Sequence, residues 1–248
     1  MKYLLKPLSF FSVKTLRTLL VAAILLGSMG AAAQQRELYL EDHDNKPYYF
    51  GITLAGNLAR FNIEHHPTFL GQDSIMVAEP ANAGGFALGL LATTRLSNRF
   101  ETRFNPTLMF SERNLFYKMR IADRDLGVDV TQKIESVIVS FPLQLKFRSD
   151  RIGNFRVYML GGGKVDFDLA SNARARKAED QVKIQKLDYG VEAGIGFNFY
   201  FQSFIFSPEV KISNGLGNVH SRDEGLKYSS VLDRMQSRMI VFSIHLEG

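Results

Sequence analysis

The sequence predicts an all-β fold, an eight-stranded antiparallel up-and-down transmembrane β-barrel of the outer-membrane type that follows an N-terminal signal peptide. Three observations predict it: a targeting segment at the N-terminus, eight segments in which apolar and polar residues alternate with period two, and connections that alternate between long and short. Removing residues 1–33 leaves 215 of the 248 residues, a length that suits one barrel with long loops.

Residues 1–33 have the composition of a signal peptide. Four basic residues accompany an apolar run from Leu19 to Met29, and the small residues Ala31-Ala32-Ala33 follow it. A membrane-spanning helix needs about 20 apolar residues, so we expect cleavage near Ala33. The cleaved chain has 26 basic and 25 acidic residues instead of 30 and 25. This near-neutral balance removes the electrostatic argument for a nucleic-acid partner.

The period-two alternation divides the chain after Ala33 into a lead-in, residues 34–47, and a barrel, residues 48–248. The lead-in, QQRELYLEDHDNKP, has no clear pattern and is interpreted as a periplasmic segment. Alternation over 8 to 12 residues is typical of strands with one apolar and one polar face. In chain order, the apolar faces run from Phe50 to Leu58, Phe86 to Ala92, Phe100 to Phe110, Val137 to Phe147, Phe155 to Leu169, Leu187 to Phe201, Phe204 to Ile212 and Ile240 to Leu246.

The connections between these strands predict the orientation in the membrane. The short ones lie at residues 96–98, 149–154 and 202–203, and the long ones at about 61–83, 111–133, 170–184 and 214–234. Outer-membrane barrels have short periplasmic turns and longer outer loops. An even number of strands then places both termini in the periplasm, in an integral protein surrounded by outer-membrane lipids. Prolines inside three strands, Pro106, Pro142 and Pro208, predict β-bulges.

The polar faces predict a lumen filled with paired charges. Seven basic and seven acidic residues face it: Arg95, Arg103, Lys146, Arg148, Arg156, Lys164, Lys211, Glu101, Asp166, Asp168, Asp188, Glu192, Glu209 and Glu247. Because a buried charge must be paired, we expect a salt-bridged plug in which Asp188 and Glu192 face cations such as Lys164 or Arg156. Such a lumen argues against a diffusive porin.

Three motifs could indicate other chemistry. Gly161-Gly162-Gly163-Lys164 is not a phosphate loop, because Val165 stands where that loop needs Ser or Thr. His65-His66 is interpreted as part of a solvated loop, since adjacent residues on a strand point apart. His220-Ser221 is a weak candidate for a barrel enzyme, because adjacency shows neither a base within reach nor an oxyanion donor. We therefore expect no catalytic residue, no metal and no cofactor.

The third long loop carries three basic residues, Arg174, Arg176 and Lys177. Guanidinium groups bind phosphate in bidentate fashion, so these residues could contact lipopolysaccharide phosphates or a partner protein. An ordinary solvated loop explains them equally well, because the charged run is short and mixed in sign.

Four segments, residues 36–57, 141–201, 204–215 and 232–248, closely resemble the PorT family, small outer-membrane β-barrel proteins of the type IX secretion and gliding machinery. The resemblance is most specific at DLASNARARKAED, residues 168–180, and covers nearly all of the chain after the signal peptide. It implies a role in exporting cargo proteins that carry C-terminal sorting domains, beside other type IX secretion proteins. It implies no catalytic residue and no cofactor, and it leaves open whether the protein is a structural subunit or an assembly factor.

Two alternatives stay open beside this non-enzymatic role. One is a barrel enzyme that acts on lipid A or phospholipid, with His220 and Ser221 as candidates. The other is an OmpX-like structural or adhesion barrel. The leading hypothesis expects no small-molecule substrate.

Overall fold

The computed structural model describes residues 37–67, 75–121, 124–171, 184–221 and 232–248. The chain divides into two compact units, Met1–Glu37 and Leu38–Gly248. The predicted signal peptide and residues 34–36 lie outside the described residues. In the described ranges, no helix has the length and apolarity needed to cross a membrane.

In its described residues, the second unit has ten β-strands after one short 3-10 helix, Glu41–Asn45. The strands are β1 (Tyr48–His65), β2 (Ile75–Ala81), β3 (Ala83–Arg95), β4 (Phe100–Phe104), β5 (Thr107–Ile121), β6 (Arg124–Arg148), β7 (Phe155–Asp168), β8 (Leu187–Tyr200), β9 (Ile205–Gly215) and β10 (Leu232–Glu247). All pairings are antiparallel, and β1 closes the ring because it pairs with β10 on one side and β3 on the other. β2 continues into β3, and β4 continues into β5, so that each of these pairs forms one interrupted strand of the barrel wall. If each strand of the wall is called a stave, the ring has eight staves, which confirms the predicted fold class.

The predicted bulges at the three strand prolines are wrong. Pairing of β6 with β4 and β5 keeps one register on both sides of Pro106, as Phe104 pairs with Leu143 and Thr107 with Ser140. The β6–β7 ladder also runs unshifted through Pro142. The register shifts at β1, β2 and β5 lie instead near the long-loop ends of the staves, for example between Glu64 and His65.

The predicted long loop at residues 111–133 is also wrong. Strands β5 and β6 continue through it as a hairpin whose last pair is Ile121 with Arg124. Along β5 the polarity of the two faces reverses. At the start of the reversal the apolar Phe110 points outward and the polar Ser111 points inward. Further along the strand the charged Glu112 points outward, whereas Leu115 and Tyr117 point inward and are buried. Because of this reversal, the segment lacks the outward apolar residues that predict a membrane-spanning strand.

The outer wall below this reversal is a continuous apolar belt. On β1, the outward residues from Tyr48 to Leu58 include Phe50, Ile52 and Leu54, and all five of these large side chains are exposed. Ten residue steps of about 3.3 Å, tilted by about 40°, rise about 25 Å. This height equals the apolar band of outer-membrane barrels, so the belt is the surface that meets lipid.

Candidate functional site

The barrel interior near the short turns is built around Arg103, on β4. Its guanidinium is fully buried and forms two ion pairs, Nη1 to Glu209 Oε2 at 2.8 Å and Nη2 to Glu247 Oε1 at 3.1 Å. The Tyr158 hydroxyl donates a hydrogen bond to the same Glu209 oxygen at 2.8 Å, and the Tyr158 ring lies 5.3 Å from the guanidinium carbon. One cation thus links strands β4, β9 and β10 across the interior.

A second set of charges lies beside Arg103, nearer to the short turns. Lys146 Nζ is 3.6 Å from Glu101 and 4.0 Å from Glu247, and it lies 4.1 Å from the centre of the Tyr158 ring. Arg148 pairs with the other Glu101 oxygen at 2.8 Å. Three cations therefore balance three carboxylates in this layer, as burial of charge requires.

The middle of the interior holds separate, smaller groups. Glu192 pairs with Lys211 at 3.4 Å and accepts a hydrogen bond from Gln144, and Lys164 pairs with Asp166. The predicted pairing of Glu192 with Lys164 or Arg156 is wrong: Lys211 on the neighbouring strand β9 pairs with Glu192, whereas Lys164 pairs with Asp166 and Arg156 with Asp44.

Asp188 and Arg113 complete the middle groups. Asp188 accepts a hydrogen bond from the backbone N–H of Tyr189 and lies against Gly215. Lys164 interacts with Asp188 electrostatically, as expected, although no ion pair within 4.0 Å joins the two among the described residues. Arg113, which the sequence analysis placed in a loop, is buried, pairs with Asp168 at 3.4 Å and donates to Ser136 and Ser237. A cavity of about 20 Å³, room for a single water molecule, lies between these groups.

Of the fourteen predicted inward charges, all except the half-buried Arg95 are buried in the interior. The buried ones are Glu101, Arg103, Lys146, Arg148, Arg156, Lys164, Asp166, Asp168, Asp188, Glu192, Glu209, Lys211 and Glu247. The third-loop candidates Arg174, Arg176 and Lys177 lie outside the described residues.

The interior near the long loops is apolar instead of charged. Its buried cluster consists of Phe61, Ile75, Ala78, Leu115, Tyr117, Ile184, Val219, Leu232 and Met235. All of these except Met235 come from segments that the sequence analysis treated as outer loops. The salt-bridged part of the interior therefore does not extend to this end of the barrel, where apolar burial fills the space.

Residues 38–47 of the lead-in fold across the opposite mouth of the barrel. Asp44, in the 3-10 helix, forms ion pairs with three arginines: Arg156 at 2.9 Å, Arg151 at 3.3 Å and Arg148 at 3.7 Å. Burial raises the pKa of Asp44, but the charges and hydrogen bonds of Arg156 and Arg151 outweigh it and hold that pKa below its usual value. Asp44 is therefore a charged anchor for the lead-in.

His43 provides the apolar half of the same anchor. It is 3% exposed, and its ring centre is 4.5 Å from that of Tyr49. Burial lowers the pKa of His43 from 6.5 to about 4, so the ring is neutral at pH 7. The His43 carbonyl accepts a hydrogen bond from Arg95 at 3.2 Å. Sequence reasoning missed this docking because a single turn of 3-10 helix has no periodicity to detect.

The remaining sequence candidates have the following positions in the described parts of the chain. Gly161, Gly162 and Gly163 lie inside β7, paired on both sides. His220 is buried and pairs with Ile184 through its backbone, and Ser221 is half-exposed. No group of three or more His, Cys, Asp or Glu residues suited to a metal ion occurs within the described ranges.

Comparison with known proteins gives one family match and several structural ones. The family model described as "Outer membrane protein beta-barrel domain" matches residues 32–221. No curated protein is found to match the chain. Among solved structures, the outer membrane protein OprG from Pseudomonas aeruginosa is 14% identical with a TM-score of 0.41, covering 79% of this chain and 94% of its own.

Two further structures are similar at the same level. Neisserial surface protein A is 10% identical with a TM-score of 0.40, covering 79% of this chain and 95% of its own. Ail, the attachment invasion locus protein of Yersinia pestis, solved with the heparin analogue sucrose octasulfate, is 10% identical with a TM-score of 0.37, covering 82% of this chain and all of its own.

Proposed function

The chain belongs to the family of outer membrane protein β-barrel domains, and we propose that it is a non-enzymatic component or assembly factor of the type IX protein secretion machinery. The observation that carries this proposal is the resemblance to the PorT family, which is most specific at residues 168–180. The proposed role is export of cargo with C-terminal sorting domains, carried out through contacts with other secretion proteins and with outer-membrane lipids.

The filled interior supports a role at the ends of the barrel and not through its lumen. In the described part of the chain, ion pairs occupy one half of the interior and an apolar cluster the other. Two surfaces are then available for partners: the mouth covered by the lead-in, and the opposite end with the β5–β6 hairpin. Large stable conductance in single-channel recordings would contradict this part of the proposal.

A deletion strain tests the secretion role directly. We expect sorting-domain cargo to accumulate inside the cell and the full-length gene to restore its export. Normal export in the deletion strain would refute the proposal. Crosslinking in intact cells, targeted to residues 174–177 and to the lead-in, would then show which end meets the partners. An unchanged lipid A and phospholipid profile in the same strain would exclude the alternative hypothesis that the barrel is a lipid-modifying enzyme.

The orientation, with both termini and the short turns in the periplasm, is part of the proposal and has its own test. The chain contains no cysteine, so single cysteines report cleanly on exposure. Asp150→Cys lies in a short turn and Thr131→Cys on the β5–β6 hairpin, and both positions are exposed. A membrane-impermeant maleimide should label position 131 on intact cells and position 150 only after permeabilisation. The reverse result would invert the orientation.

A further inference from the structure

We propose that the outer wall carries a binding site for the phosphate groups of the outer-leaflet saccharolipid, formed by Arg60 on β1 and Arg238 on β10. The two residues are direct cross-strand partners, and both side chains are exposed on the outer face of the barrel. Directly opposite residues on an antiparallel pair have Cβ atoms about 4.5–5.5 Å apart. The two guanidinium groups can therefore reach one ligand.

The rows of outward residues along this strand pair place the arginines at the edge of the lipid-facing belt. On one side, toward the short turns, Leu58 pairs with Ile240, and both are exposed apolar side chains. On the other side, Asn62 pairs with Gln236. The next row holds an ion pair, in which Arg234 Nη1 lies 3.8 Å from Glu64. The surface thus changes from apolar to polar at the arginine row, where lipid headgroups meet the protein.

The arginine pair is uncompensated within the protein. Like charges directly opposite on neighbouring strands destabilise a sheet, and neither guanidinium has an ion pair or hydrogen bond in the described part of the chain. Glu64, two outward rows away on the same strand pair, already pairs with Arg234. A ligand that brings negative charge to this point would relieve the repulsion.

Phosphate is the anion that suits this geometry. Guanidinium binds phosphate oxygens through two parallel N–H donors, and two neighbouring guanidinium groups match a dianionic phosphate. The row lies at the long-loop end, which faces the outer leaflet in the orientation proposed above. The lipid assignment rests on that orientation, whereas binding to purified lipid can be measured without it.

The test compares the full-length refolded protein and its variants in detergent micelles by native mass spectrometry. The probe is bisphosphorylated lipid A, with dephosphorylated lipid A as the reference lipid. We expect Arg60→Gln or Arg238→Gln to weaken retention of the phosphorylated lipid about tenfold, the loss of one charge-assisted contact. Arg99→Gln is the matched control, because Arg99 is also exposed but lies at the short turns, paired with Asp150 at 2.9 Å.

A second measurement keeps the proposal falsifiable if retention is difficult to quantify. Without lipid A, the double substitution Arg60→Gln with Arg238→Gln should leave resistance to denaturant unchanged or raise it, since it removes a repulsion. With lipid A, the native protein should gain resistance and the double variant should not. Equal gains for both proteins would overturn the proposal, as would equal retention of dephosphorylated lipid. Displacement of lipid A by equimolar inorganic phosphate would overturn the lipid assignment.

Discussion

Replacing Arg103 by methionine tests how the buried charges hold the barrel together. Methionine keeps much of the apolar stem but leaves two buried carboxylates without their shared cation. Glu209 and Glu247 are 1% and 0% exposed in their side chains. After the substitution, Glu247 still has Lys146, but at 4.0 Å, and Glu209 keeps the Tyr158 hydroxyl at 2.8 Å and the His245 ring nitrogen at 3.3 Å. Breaking a buried pair in this way costs about 3–5 kcal/mol.

The free energy of unfolding is measured in lipid vesicles from denaturant titrations, by linear extrapolation. Because the chain has no tryptophan, circular dichroism and the heat-dependent shift in gel mobility report the folded fraction. Two comparisons isolate the charge effect. Arg99→Ala breaks an exposed ion pair, whose side chains are 56% and 82% exposed, and should cost less than about 1 kcal/mol.

The second comparison removes one cation and one carboxylate together. Arg103→Met with Glu209→Gln leaves Lys146 and Arg148 against Glu101 and Glu247, so the charges of this layer balance again and the double variant should recover most of the loss. A loss below about 1 kcal/mol for Arg103→Met alone would refute the reasoning. A double variant as unstable as the single one would also refute it, since the defect would then be one of packing.

Three further predictions test other contacts. Gly196→Ala should destabilise the barrel by about 1–3 kcal/mol, because a Cβ at this position would lie 2.3 Å from the ring of the buried Tyr158. Gly84→Ala is the control and should not destabilise it, since no atom lies within 4 Å of its Cβ, and denaturant titration compares the two variants. Glu192→Lys should reduce the heat-modifiable folded form, since it faces Lys211, and the charge swap with Lys211→Glu should restore part of it. Folding unaffected by Glu192→Lys would contradict the paired interior. Docking of the lead-in should weaken as pH falls from about 6.5 to 4, because the released His43 binds a proton that the docked ring, with its pKa of about 4, does not bind. Hydrogen exchange of residues 38–47 should become faster over this range as protection is lost, and His43→Phe should abolish this dependence of the protection on pH.

The direction of each side chain in the membrane-spanning part could be predicted from the sequence, because successive residues of a strand point to opposite faces. Arg103 and Glu209 are examples: both alternate with outward apolar residues and both lie inside. The alternation of directions continues beyond Phe110, but there the outer face meets water and the large apolar residues point inward. Leu115 and Tyr117 therefore show the opposite pattern, and the sequence predicted a loop in their place.

The alternation of apolar and polar residues and the alternation of loop lengths determined the fold class and most of the inward charges, although not Arg113. Only the tertiary structure decided which charges pair, because partners such as Arg103 and Glu247 are brought together by closure of the ring across 144 positions of sequence. Closure also decided that the lead-in covers the mouth, since Asp44 meets arginines from β6, β7 and the turn between them. A strand pattern records which face a residue occupies, whereas its partner depends on the register and stagger of all eight staves.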